Sequence, residues 1–208
     1  GDAVMALFPE KADDAVEAAV FSQHAIAQYN DEHKKKGFEP IIVGTGIHCG
    51  NLILGTIGTE SRMDTTVISD AVNTAARMEG LTVIYGGNII VTGSLVEQLQ
   101  DKSAFHYRYL DTVKVKGKDQ STVIYEILDG LDNAAIDAKL SSLIFYKEAI
   151  AHYKQAELST ALDGFRKVLD INPADIASQL YVERCEHYLK VGIPDKWDGS
   201  QQMTTKKG

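Results

Sequence analysis

Apolar and polar positions recur along this chain with two different periods, and the switches between them mark its elements. Ala3 to Phe8 is a short apolar run ended by Pro9 and reads as a strand. From Asp13 onward, apolar or small residues stand at helical spacing (Ala15, Ala18, Ala19, Ser22, Ile26, Tyr29) until Lys34-Lys35-Lys36-Gly37 stops the pattern, which predicts one long helix. Pro40 to His48 and Leu52 to Ile57 are β-branched stretches joined by Cys49-Gly50-Asn51, so two neighbouring antiparallel strands are predicted there. Asp70 to Leu81 is alanine-rich and helical, with Val72, Ala75, Ala76 and Met78 in the pattern; Asn88 to Thr92 is a strand and Ser94 to Gln100 a short helix. Tyr107 to Val115 and Thr122 to Leu128 form a pair of strands around Lys116-Gly117-Lys118. This alternation predicts an α+β sheet with helices on one face. Beyond Leu128 the strand signals cease, Asp129-Gly130 marks a linker, and three helical patterns follow over Ala134 to Glu157, Ser159 to Leu169 and Pro173 to Val191.

The composition narrows the function classes. With 208 residues, 44% hydrophobic and 24% charged, the chain can bury the core of one domain plus a small appendage. A formal net charge of -8 argues against a nucleic-acid partner, because affinity for a phosphate backbone rests on lysine and arginine displacing counterions. The two cysteines, Cys49 and Cys185, lie far apart and outside any Cys-x-x-Cys spacing, which fits a reducing compartment better than a disulfide framework or zinc site. No apolar run approaches the ~18 residues of a membrane span, so a cytoplasmic segment is expected. The chain opens at Gly1 directly on an apolar run, which leads to the expectation of an upstream part, where a sensor or a membrane anchor would lie. Gly44-Thr45-Gly46-Ile47-His48-Cys49-Gly50 is one residue off a dinucleotide fingerprint but joins two strands rather than a strand and a helix. The six histidines lack metal-ligand spacing.

Four ordered blocks carry a resemblance. The longest runs Gly55-Thr56-Ile57-Gly58-Thr59-Glu60-Ser61-Arg62-Met63-Asp64-Thr65-Thr66-Val67-Ile68-Ser69-Asp70-Ala71-Val72-Asn73-Thr74-Ala75-Ala76-Arg77-Met78; the others are Gly1 to Phe8, Gly46 to Gly50, and Val113-Lys114-Val115-Lys116-Gly117-Lys118. Over residues 1 to about 128 the chain resembles the catalytic domain of class III adenylate and guanylate cyclases. The resemblance implies a ferredoxin-like α+β domain lacking its first strand or strands and helices, with the site at the interface of a head-to-tail homodimer.

It also implies roles. Asp2 matches the second of two metal-binding aspartates, and a carboxylate suits Mg²⁺ or Mn²⁺, two ions per site, because hard cations prefer oxygen. Asn73 and Arg77, four apart on one helix, match the residues that orient the ribose and stabilise charge on the α-phosphate. Lys116 matches the lysine on the terminal phosphates, while Arg62 is either a second phosphate contact or the end of a surface hairpin. Thr66 matches a base-selecting position, where threonine or aspartate goes with ATP and cysteine with GTP. The implied activity is an adenylate cyclase making cyclic AMP and pyrophosphate in signal transduction. The alternatives are a guanylate cyclase and a catalytically silent dimerising module. With the first metal aspartate and a base-contacting lysine expected upstream of Gly1, residues 1 to 208 alone are expected to be inactive. Ser69 stands where glycine is commoner in the family and is read as tolerated.

Beyond the linker, residues 129 to 192 space Tyr146, Ala149, Tyr153, Ala156, Ala161, Phe165, Leu169 and Pro173 much as in one tetratricopeptide repeat. A single repeat cannot cover its own apolar face, so the helices are expected to pack on the sheet domain or on other helices. A plain helical cap and a partner-binding groove remain equal readings. The tail is similar to those of bacterial cyclases with an N-terminal sensor, and residues 193 to 208 are expected to be a flexible end.

Overall fold

The computed structural model describes residues 3–59, 62–114 and 121–202, and for 54, 56–59, 62–68 and 202 it describes the backbone alone. Helix α1 (Ala12–Lys35) carries Asp13 and Asp14 in its first turn and His33, Lys34 and Lys35 in its last, a charge order that complements the helix dipole. It buries Ala15, Val16, Ala19 and Gln23, one stripe at helical spacing. The apolar run before it is not a strand: Ala3 to Phe8 has no ladder partner among the described residues, and Val4 is 94% exposed. Apolar sequence supplies a strand's side chains, but a neighbour must supply its hydrogen bonds.

The remaining elements are β1 (Thr45–Ile47), β2 (Ile53–Thr59), β3 (Arg62–Ile68), α2 (Asp70–Tyr85), β4 (Ile89–Thr92), α3 (Gly93–Gln98), β5 (Tyr107–Lys114), β6 (Ser121–Ile127), α4 (Asn133–Lys154), α5 (Leu158–Ile171), α6 (Ile176–Val191) and β7 (Gln201–Gln202). One mixed sheet has the order β1-β4-β6-β5-β7, with β1 parallel to β4, β6 antiparallel to both β4 and β5, and the two-residue β7 parallel to β5. The fold is α+β, its four main strands followed by C-terminal helices. The expected hairpin across Cys49-Gly50-Asn51 does not form. The strand begins only at Thr45 and pairs with β4, whereas β2 pairs with β3 as a separate two-stranded ribbon. Both stretches have strand character, but their partners lie elsewhere in the chain, which a local turn signal cannot reveal.

Helices cover both faces of the sheet, not one. On β4 the alternation is explicit: Ile89 and Val91 join Val16, Ala19, Leu95, Val96, Leu99 and Ile127 beneath α1 and α3. Ile90 points the other way, with Leu110, Val113 and Ile124, into a core completed by Met78, Leu81 and Tyr85 of α2 and by Tyr146, Phe165 and Tyr181 of α4, α5 and α6. The tail helices are therefore the second wall of the sheet's core. Each large side chain buried there contributes on the order of 1.5–3 kcal/mol of hydrophobic stabilisation.

The chain after α6 is also packed. Trp197 Nε1 donates to the Tyr153 carbonyl at 3.0 Å, its ring stands edge-on to Tyr153 and Tyr188, and Gln201 Nε2 donates to the Tyr153 hydroxyl at 3.0 Å. Asp198 pairs with Lys114 at 2.7 Å. The expected flexible end thus does not describe residues 193–202, which an indole and a pair of ladder residues hold against the domain; 203–208 lie outside the described residues.

Candidate functional site

Helix α2 is the element from which the site is built, and three local features fix it. At its start Ser69 is the N-cap: its Oγ accepts from the Ala71 amide at 2.9 Å and donates to the Asn51 carbonyl at 2.6 Å. The residue read as merely tolerated is thus a cap that also ties the helix to the segment before β2. Along its length α2 lies on β1 at Gly46, where an added Cβ would fall 2.1 Å from the Glu79 nitrogen and 2.2 Å from the Ala75 carbonyl oxygen. Only glycine lets strand and helix backbones approach that closely. At its end Gly86 takes a left-handed φ of 64° and donates to the Thr82 carbonyl.

The buried stripe of α2 is Thr74, Met78, Leu81, Thr82 and Tyr85. Asn73 and Arg77 stand one turn apart outside that stripe, Asn73 exposed and Arg77 half-buried. Among the described residues, neither side chain has a hydrogen-bond or ion-pair partner. The backbone of β3 runs into α2 through Ser69; Thr66 is opposite Gly55 and Arg62 opposite Thr59, at the turn end of the ribbon. The side chains of Thr66 and Arg62 lie outside what is described, as do Asp2 and Lys116 entirely. The structure thus brings Asn73 and Arg77 together, and places Thr66 and Arg62 by backbone register alone.

Two buried polar clusters that sequence reading missed tie the tail to this framework. In the first, Arg108 Nε donates to Glu126 Oε2 at 2.7 Å and Nη1 to Asp175 Oδ2 at 2.6 Å, while Lys139 Nζ lies 3.1 Å from Glu126 Oε1. Burial works against the Asp175 carboxylate, but Arg108 and Lys139 hold its pKa below the usual range. In the second, Asp111 Oδ2 accepts from the Tyr85 hydroxyl and from Arg184 Nη1, both at 2.6 Å, and Arg184 Nη2 donates to the Tyr85 oxygen at 3.1 Å. Burial, reinforced by the Asp111 charge, pushes the Tyr85 phenol pKa up, so it remains a donor. The signal available in the sequence was weak: a charged residue inside an otherwise apolar strand or helix pattern, as at Arg108, Asp111 and Glu126.

The cysteines are not nucleophiles in this setting, since burial pushes the Cys185 thiol up to about 12 and raises Cys49 as well. His48 shares a hydrogen bond of 2.9 Å with Thr92 Oγ1, and His106 is paired with Asp129 at 2.8 Å. Among the described residues no three His, Cys, Asp or Glu side chains gather where a metal ion could be held. Asp2, the position that the resemblance assigns to metal, lies outside them. No helix among the described residues is long and apolar enough to cross a membrane.

A capped helix laid on a sheet strand, presenting a guanidinium and an amide one turn apart that have no partner among the described residues, agrees with the family that the sequence matches. Residues 1–128 match the family described as Adenylate and Guanylate cyclase catalytic domain, and the chain belongs to that family. It is 49% identical over 133 residues to an adenylate cyclase of Anabaena cylindrica, covering 61% of this chain and 26% of that protein. It is 34% identical over 198 residues to the terminal-differentiation specific adenylate cyclase of Dictyostelium discoideum, covering 91% of this chain and 9% of that one. The chain thus spans about a quarter or less of these relatives. Of the solved structures, the guanylyl cyclase Cya2 shares 30% identity and a TM-score of 0.46, covering 56% of this chain and 59% of its own.

Proposed function

We propose that the chain is the catalytic part of an adenylate cyclase, converting ATP to 3′,5′-cyclic AMP and pyrophosphate at a head-to-tail homodimer interface. The observation that carries this reading is the Arg77 guanidinium, without a partner among the described residues, beside Asn73 on a rigidly mounted helix. A half-buried arginine so placed is suited to an anion arriving from outside, and its planar fork matches phosphate oxygens. In the reaction the ribose 3′-oxygen attacks the α-phosphorus, its proton is lost, and the bond to the departing pyrophosphate breaks. Asn73 orients the ribose and Arg77 meets the charge that develops on the α-phosphate. Lys116 contacts the terminal phosphates, Arg62 adds a phosphate contact from the other protomer, and Thr66 selects adenine, in keeping with the adenylate cyclases among the relatives. In this reading Asp2 would hold Mg²⁺ or Mn²⁺, two ions per site, which would neutralise the triphosphate. The α4–α5 helical pair, spaced like a tetratricopeptide repeat, is used here to wall the sheet.

Steady-state kinetics on the intact protein test it. Arg77→Ala and Asn73→Ala are each expected to lower kcat by roughly 10² with a smaller change in KM, because a positioned donor lost from the transition state costs about 3 kcal/mol. Unchanged kcat in both variants would remove the assignment.

A further inference from the structure

We propose that Arg184, on the last tail helix, is a positioning residue for catalysis: through Tyr85 it sets the placement of α2 and hence of Arg77 and Asn73. The inference rests on the reading of Arg77 as a catalytic residue, and the observations that carry it concern how α2 is held.

The amino-terminal end of α2 is fixed by its cap and by β1. Its carboxy-terminal end is held by the tail. Tyr85 is the last residue of the helix, and its hydroxyl and the Arg184 guanidinium converge on one oxygen of Asp111, each at 2.6 Å. The other oxygen of that carboxylate accepts from the Thr112 amide at 2.7 Å, so the acceptor cannot turn away. Asp111 and Tyr85 are fully buried and the Arg184 side chain is 14% exposed, so water offers little substitute for these bonds. The Arg184 guanidinium also lies 5.7 Å from the Tyr85 ring centroid and 5.0 Å from that of Tyr181. One residue further, a Cβ on Gly86 would fall 2.5 Å from Ile176 Cγ1, so the start of α6 presses directly on the end of α2. Three elements, α2, β5 and α6, thus meet at one carboxylate.

Arg77 lies eight residues before Tyr85 on the same helix, about 12 Å along the axis. A helix moves as a rod over that length, so releasing its far end shifts or rotates the guanidinium. Displacements on the order of 1 Å at a reacting centre can cost about 100-fold in rate. The Arg108–Glu126–Lys139–Asp175 cluster also joins tail to sheet, but its members lie on β5, β6, α4 and the cap of α6, and none is on α2. It therefore separates general loosening of the tail from loss of the grip on α2.

The experiment compares Arg184→Ala, Tyr85→Phe and, as the stability control, Lys139→Ala in the intact protein, each alone and combined with Arg77→Ala. Tyr85→Phe keeps the ring and removes only the hydroxyl, so it serves if Arg184→Ala fails to fold. The expected result is a drop in kcat of about 10- to 100-fold in Arg184→Ala and Tyr85→Phe, with ATP KM changed much less. Added to Arg77→Ala, the same changes are expected to cost clearly less than they do alone, since the part of their effect that runs through Arg77 is already lost and only the part through Asn73 remains. Hydrogen exchange should show faster exchange in α2 than in α1, and Lys139→Ala should lower the melting temperature while leaving kcat within about twofold. Full kcat in Arg184→Ala and Tyr85→Phe beside an impaired Arg77→Ala, or fully additive losses, would overturn the inference alone. Unchanged α2 protection would overturn it whatever Arg77 does. Full kcat in Arg77→Ala would remove the catalytic reading, and this inference with it.

Discussion

Gly46 shows how one residue without a side chain can place α2, the helix that carries Asn73 and Arg77. Its would-be Cβ lies inside van der Waals range of backbone atoms at Ala75 and Glu79, which cannot swing aside as a side-chain tip can. Gly46→Ala must therefore push α2 off β1. Overpacking of this kind costs about 1–3 kcal/mol, and a larger loss of kcat than of thermal stability is the expected outcome, read from urea denaturation and steady-state kinetics in parallel. Asp175 makes a second prediction at this scale. Its carboxyl pKa is held down in the folded protein, so it contributes stability that is fully present above the ordinary value near 4 and is lost as pH falls through the lower folded value. Asp175→Asn is expected to cost roughly 3–5 kcal/mol at neutral pH, because it leaves Arg108 short of one of its two carboxylate partners, and to flatten the fall in stability below the ordinary carboxylate value near 4. Denaturant titrations at a series of pH values measure both effects. Arg77 and Asn73 were legible in sequence because a motif and a four-residue spacing carry them. Asp111 and Arg184 were not, because the residues that satisfy them are 73 positions apart.

Among elements, helices were the easier to read. The patterns predicted for α1, α2 and the three tail helices fall within a few residues of the observed bounds, since the apolar stripe and the stop residues of a helix are local. Strands were read for character but not for partner. Ala3 to Phe8 has the composition of a strand but no ladder partner among the described residues, and Leu52 to Ile57 joined β3 rather than the strand before it. Ser69 belongs to this scale because it fixes where α2 starts. Ser69→Ala removes an N-cap acceptor and a donor to the Asn51 carbonyl, and a loss of about 1 kcal/mol is expected in the urea midpoint, with Ser69→Thr retaining most of it.

For the whole molecule, the finding is that the tail is not an appendage. Met78, Leu81, Tyr85, Leu110, Val113 and Ile124 are buried in the same core as Tyr146, Phe165 and Tyr181. Removing residues 129–208 would expose the apolar face of the sheet and strip Asp111 and Glu126 of the cations that pair with them from α6 and α4. Residues 1–128 expressed alone are expected to aggregate or to bind a hydrophobic dye strongly, whereas 1–208 should show neither behaviour beyond that of a packed domain. Size-exclusion chromatography and dye fluorescence on the two chains decide it, and a monodisperse, dye-silent 1–128 would refute the shared core.

By itself, the sequence determined the family, the order and kind of most elements, and the pairing of Asn73 with Arg77 on one helix, because motif, periodicity and spacing are properties of neighbouring residues. Tertiary structure alone decided which strands pair, that helices cover both faces of the sheet, that Ser69 caps and Gly46 cradles α2, and that the tail reaches back through Arg184 to α2. Those features depend on groups distant in sequence meeting where water is excluded, and a buried charge becomes favourable only once its partners are in place.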